Sequence, residues 1–115
     1  MIDYTNWTLQ RIFNKVSKHL VNQKKKAILN GRTAFSDNDY NRCAFGCLAP
    51  LRDHRSSKII DYYTFFYNGI TFKKYELLLD MEKCHDKVKV SRWKQRLRVI
   101  ARSYDLEIPE FLNDK

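Results

Sequence analysis

The side chains in this chain best suited to soft-ligand or thiol chemistry are Cys43, Cys47, Cys84 and His85. Cys43 and Cys47 stand in the apolar run Asn41-Arg42-Cys43-Ala44-Phe45-Gly46-Cys47-Leu48-Ala49-Pro50, and Cys84 directly precedes His85-Asp86. A structural zinc site takes four such donors, built from two matched pairs at short spacing. Here the C-x3-C step has no matched second pair, and adjacent Cys-His side chains leave a helix end in different directions. The pattern therefore predicts no metal site, and a metal-dependent enzyme is the weakest alternative. Nothing in the order of His19, His54 and His85 sets an imidazole beside a thiol, as catalytic use would require. His85-Asp86 could act as acid and base at a helix end. The structural reading is preferred: His85 caps the last carbonyls of its helix and Asp86 begins the next turn. No Walker-type loop, G-x-G-x-x-G, G-x-S-x-G or telling carboxylate pair is present, so the expectation is a protein without enzymatic activity and without a cofactor.

Charge is the stronger signal. The chain carries a formal net charge of +9, which favours polyanionic partners and disfavours self-association. Between Tyr4 and Ser36 lie seven cations (Arg11, Lys15, Lys18, Lys24, Lys25, Lys26, Arg32) and no acid. Between Lys87 and Tyr104 lie seven more (Lys87, Lys89, Arg92, Lys94, Arg96, Arg98, Arg102), again with no acid.

These side chains need elements to hold them. A length of 115 residues suits one domain with one core. Without a secretory signal at the start or any long apolar run, the expectation is a cytoplasmic protein with reduced, buried cysteines and no membrane partner. From Asn6 to about Asn22, Leu9, Ile12, Phe13, Val16 and Leu20 mark one face of a helix, with Trp7 sealing its start and Arg11, Lys15 and Lys18 on the wet side. Ala27-Ile28-Leu29 either extends this helix or begins a loop, and Asn30-Gly31 ends the segment. Arg32–Phe35 and Arg42–Phe45 read as a small β-hairpin across a six-residue polar loop. The run to Pro50 reads as a short buried strand, with Gly46 allowing close approach.

After Pro50, Ser56 or Ser57 caps a helix to about Asn68 with Ile59, Ile60, Tyr63, Phe66 and Tyr67 inward, and Gly69 stops it. Within that aromatic row Tyr63 and Phe66 read as core, which leaves Tyr62 or Phe65 partly exposed as a possible partner contact or base-stacking platform. Thr71 caps a helix to about Cys84 with Phe72, Tyr75, Leu78, Leu79 and Met81 on its apolar side. Val88-Lys89-Val90 is an extended connector, and Ser91 caps a last helix with Trp93, Leu97, Ile100, Ala101 and Tyr104 inward. Leu106, Ile108, Phe111 and Leu112 fold back over the core, with Pro109 favouring a turn or short helix. The fold class expected is mainly α with a small β-hairpin (α+β), one compact domain of about four helices.

The order of these pieces resembles a group of small uncharacterised proteins from bacteria and their phages. In that group a CAxGCLIP segment precedes an LQxIHD helix and a Trp-bearing final helix. Here the corresponding stretches are Ile12–Gln23, Cys43–Pro50, Leu77-Leu78-Leu79 with Cys84-His85-Asp86, and Trp93 to Leu106. This chain departs from the pattern in its basic Arg52, His54 and Arg55 and in Cys84. The resemblance implies a fold and a phage or prophage context, and assigns no catalytic residue.

Together these features point to a small basic, non-enzymatic binding protein that engages nucleic acid through phosphate contacts. The residues expected to do so are Arg92, Lys94, Arg96, Arg98 and Arg102, with Lys18, Lys24, Lys25 and Lys26. Lys94, Arg98 and Arg102 repeat every four residues along one outer face of the last helix, flanked by Arg92 and Arg96. Base-specific reading is not expected, because the connection from His85 to Val90 is too long for a helix-turn-helix. The alternative partner is an acidic surface of a host protein, such as a DNA-processing or defence enzyme.

Overall fold

Thr8 is extended, and its hydroxyl accepts the Arg11 N–H at 3.1 Å, which starts helix α1, Leu9–Gln23. The computed structural model of the protein describes residues 2–49 and 62–113. At its far end Lys24 turns left-handed (φ 58°) and donates its N–H to the Leu20 carbonyl, so the triple lysine leaves the helix. The expected face of α1 is the buried one: Ile12, Phe13, Val16 and Leu20 are fully covered. Each such side chain contributes about 1.5–3 kcal/mol by leaving water.

Strands β1 (Ile28–Leu29) and β2 (Arg32–Thr33) pair antiparallel, with Ile28 opposite Thr33. Asn30 (φ 54°) and Gly31 (φ 78°) between them are both left-handed, as a two-residue type I′ turn requires. The hairpin therefore lies one segment earlier than the expected pairing of Arg32–Phe35 with Arg42–Phe45. That pairing survives only as an isolated Ser36–Arg42 bridge and a 3.2 Å bond from the Cys43 N–H to the Phe35 carbonyl. A tight Asn-Gly turn closes more readily than a six-residue loop. Asp37 organises that loop locally instead, accepting the N–H groups of Asp39 and Asn41, each at 2.9 Å.

Cys43 through Ala49 are buried as expected, but the run is no strand: it folds into a 3-10 turn at Gly46–Leu48. Gly46 is required there because a Cβ would sit 2.0 Å from the Phe35 carbonyl oxygen.

Helix α2 spans Tyr62–Tyr67. Its expected cap at Ser56 or Ser57, Ile59 and Ile60, and the side chains of Tyr62 and Tyr63 lie outside the described residues. Its inward face is turned by one position from the expectation. Phe65 is fully buried between Phe35 and Phe45, whereas Phe66 is 36% and Tyr67 88% exposed.

Helix α3 spans Phe72–Lys87 with Thr71 at its N-cap, and Leu77, Leu78, Met81 and Cys84 bury its inner side. Phe72, expected inward, is 80% exposed, with its ring centroid 6.0 Å from that of Phe66. Lys74 turns its ammonium inward, where it donates to the carbonyls of Tyr4, Thr5 and Gly69 at 2.7, 3.1 and 3.0 Å.

Val88 and Lys89 are extended, and a 3-10 turn at Val90–Arg92 leads into helix α4, Trp93–Ser103. Ser91 lies inside that turn and does not cap the helix; the Trp93 indole N–H instead anchors the entry on the Val88 carbonyl at 3.0 Å. Trp93, Leu97, Ile100 and Ala101 are buried, and the tail folds back as expected, with a 3-10 turn at Glu110–Leu112 and Leu112 fully covered. Gln10 clasps that tail: its side chain donates to the Glu107 carbonyl at 3.0 Å and accepts the Glu107 N–H at 2.8 Å.

Helices α1, α3 and α4 pack on one another, with the 3-10 turn of the cysteine run set against α1. Among the described residues the architecture is mainly α, four helices with one small hairpin. No helix among the described residues is long and apolar enough to cross a membrane.

Candidate functional site

The basic blocks, far apart in sequence, meet where α1 ends and α4 begins. Lys24 and Lys94 line one groove, of about 360 Å³, with Leu20, Val21, Ser91 and Trp93. Lys26 reaches the end of α3 from the other side and donates to the Asp86 carbonyl at 3.2 Å. Cations suit that position, since unpaired carbonyls give a helix C-terminus negative character. Lys87 ends α3, and Lys89 and Arg92 follow in the connection to α4, so these cations converge on one pole of the molecule. Lys25 and Arg92 are exposed, and Lys18 is exposed on α1 one turn and a half before the pole.

The cations of α4 do not form the single outer stripe expected of them. At about 100° per residue, the buried ridge of Trp93, Leu97 and Ile100 divides them. Lys94 faces the α1 side, in the groove with Lys24. Arg92 and Arg96 fall on the α3 side beside Val88 and Val99. Arg98 is half-buried and donates to the Leu112 carbonyl, so it holds the tail. Arg102 is exposed near the other end of the helix.

A second cluster lies beneath the hairpin. His85 is fully buried and does not cap the end of its helix, which continues through Asp86 to Lys87. The Ala27 N–H donates to its Nε2 at 2.9 Å, while Nδ1 lies 2.6 Å from Asp86 Oδ1 and 3.3 Å from Glu82 Oε2. Burial works against a charged imidazole, but the two carboxylates outweigh it and raise the His85 pKa above its ordinary value. Burial and the neighbouring Glu82 charge raise Asp86, whereas hydrogen bonds from His85 and Cys43 overcome burial and hold Glu82 low.

The ligand atoms of Glu82, His85 and Asp86 lie within 4.8 Å of one another, close enough for a metal ion. The tautomer argues against that use. With Nε2 accepting from Ala27, the ring proton sits on Nδ1, the nitrogen a metal between the carboxylates would need. The ring hydrogen-bonds Asp86 through Nδ1, and the Ala27 bond to Nε2 ties the chain entering the hairpin to α3. The same bond leaves neither His85 nitrogen for a thiol. All three cysteines are free and buried, and burial pushes Cys47 and Cys84 up to about 12 and Cys43 well above its usual value. Thiols held protonated in this way are weak nucleophiles.

No family model, curated protein or solved structure matches this chain. Sequence reasoning missed Glu82, whose carboxylate becomes significant only once the cysteine run is packed against α3; its Oε1 accepts the Phe45 N–H at 3.3 Å. It also missed Lys83, which shares one face of α3 with Lys87 a turn later, although their i, i+4 spacing was there to read.

Proposed function

We propose that the protein is a non-enzymatic, cytoplasmic binding protein of the phage type suggested by the resemblance above, and that it holds nucleic acid by its phosphates at the basic pole. One observation carries this reading: Lys24 from the first acid-free block and Lys94 from the second line the same groove. Lys25 follows Lys24, and Lys89 precedes the Val90–Ser91 wall of that groove; both are exposed, as are Lys87 and Arg92 on the α3 flank. Lys26 contributes charge from a fixed position, since its ammonium already bonds a carbonyl, whereas Arg98, away from the pole, holds the tail. The described pole offers no array of stacking rings or base-reading helix, so affinity rests on phosphate neutralisation and is indifferent to sequence.

Fluorescence anisotropy with a labelled 20-nucleotide strand and the matching duplex tests it. With four phosphate contacts, duplex affinity falls by about 10²-fold between 50 and 200 mM salt. Affinity that is flat across that range, or absent, overturns the proposal.

A further inference from the structure

The open groove between α3 and α4, on the opposite flank of α4 from Lys94, has a different composition. It has a volume of about 550 Å³ and an aliphatic floor of Val88, Val99 and Ile100. Lys83 and Lys87 rise from the α3 side and Arg96 from the α4 side, and Arg92 continues that rim beside Val88 and Val99. The α3 rim therefore carries two cations at i, i+4, about 6 Å apart, and the facing rim carries Arg96 on α4 with Arg92 in the 3-10 turn before it. None of these four cations belongs to an ion pair among the described residues. Val99, at the centre, is 50% exposed. Among the described residues the one acid lining the groove, Asp80, is at its far end, where its Oδ2 accepts the Tyr104 hydroxyl at 2.7 Å.

We propose that this groove receives an acidic amphipathic helix of a partner protein. Its aliphatic stripe would lie on Val88, Val99 and Ile100, and its Glu or Asp flanks would meet the two cationic rims. Charge complementarity selects this occupant. A second copy of the chain would bring the same cations against themselves, at a net charge of +9 for each molecule. Nucleobases need rings to stack on, and this floor has none. An amphipathic helix with i, i+3, i+4, i+7 anchors fits an apolar trough of this kind. The floor is separate from the nucleic-acid groove, because Lys24 and Lys94 lie across the α4 ridge from it; Lys87 and Arg92 border both surfaces, so Val99, which is uncharged, is the position that tells them apart.

The test uses the full chain and two labelled peptides of about 18 residues, five helical turns. One carries Leu on a single helical face flanked by Glu; the other has the same composition scrambled so that no face is apolar. The patterned peptide should bind about 10-fold more tightly than the scrambled one. Val99→Gln keeps charge, puts a better helix former at the position and should abolish that preference. It should leave the melting temperature, the nucleic-acid affinity and the effect of Lys24→Glu on that affinity unchanged. Equal binding of the two peptides would overturn the proposal, since it would show attraction by charge alone, as would a preference that survives Val99→Gln. Binding to phosphatidylserine vesicles, to single-stranded DNA or to a second copy that is lost on Val99→Gln would assign the groove to that other occupant and overturn it as well.

Discussion

The two ends of the α3–α4 helix pair differ in how their polar groups are used. At the end where α3 begins and α4 finishes, the Tyr104 hydroxyl donates to Asp80, Arg98 to the Leu112 carbonyl, and Lys74 spends all three ammonium donors on backbone carbonyls. At the opposite end Lys24 and Lys94 line one groove and Lys25, Lys87, Lys89 and Arg92 are exposed nearby, none with a carboxylate partner among the described residues. Lysine is thus used in two ways within one small chain. Where its donors are saturated it holds the fold, and where they face water it remains available to a ligand.

Substitution should separate the two uses. The largest effect is expected at Lys74: Lys74→Met leaves three carbonyls in a buried site without their donor and should cost about 3 kcal/mol, read by urea unfolding. If its stability is unchanged, the contrast fails. Lys24→Glu with Lys94→Glu should lower nucleic-acid affinity by about 10–100-fold and flatten its salt dependence, yet change unfolding free energy by no more than about 0.5 kcal/mol. A comparable loss of stability in that double variant would place these lysines in the first class. Tyr104→Phe, which leaves Asp80 without its donor, should cost about 1 kcal/mol with no change in binding.

The smallest effects concern the fully buried His85 and the half-buried His19, whose imidazoles should titrate on opposite sides of 6.5 when followed by NMR. Burial lowers His19, whereas the carboxylates raise His85. For His19 the neutral ring is favoured in the fold, so its contribution is complete above pH 6.5 and is lost as pH falls through the lowered value. His19→Asn should remove that part of the acid sensitivity; an unchanged stability–pH profile would show that the ring's environment is not what holds it neutral.

Much of the framework was legible because α1, α3 and α4 carry strong helical periodicity. Ile12, Phe13, Val16, Leu20, Trp93, Leu97 and Ile100 all face inward as their spacing requires. What could not be read was the result of competition between segments. The Asn30-Gly31 turn outbid the longer loop for the hairpin, and the cysteine run, whose burial and close approach at Gly46 were legible, closed as a 3-10 turn in place of the expected strand. The packing of Phe65 between two rings from the first half of the chain likewise reset the face of α2. The candidate site shows the same division. Each basic block is visible in sequence, but their meeting depends on how α1, α3 and α4 pack, and α4's own cations were separated by the ridge that its core residues create.

The Gln10 clasp on Glu107 also bears on the order of folding. It joins residues 97 positions apart, so it closes a loop that takes in almost the whole chain and can form only after the helices between have docked. Its two amide bonds are then absent from the folding transition state, and removing them with Gln10→Ala should leave the folding rate unchanged and speed unfolding alone. A side chain on the first helix thereby acts as a latch on the native state: it slows escape from the fold without helping the chain to reach it.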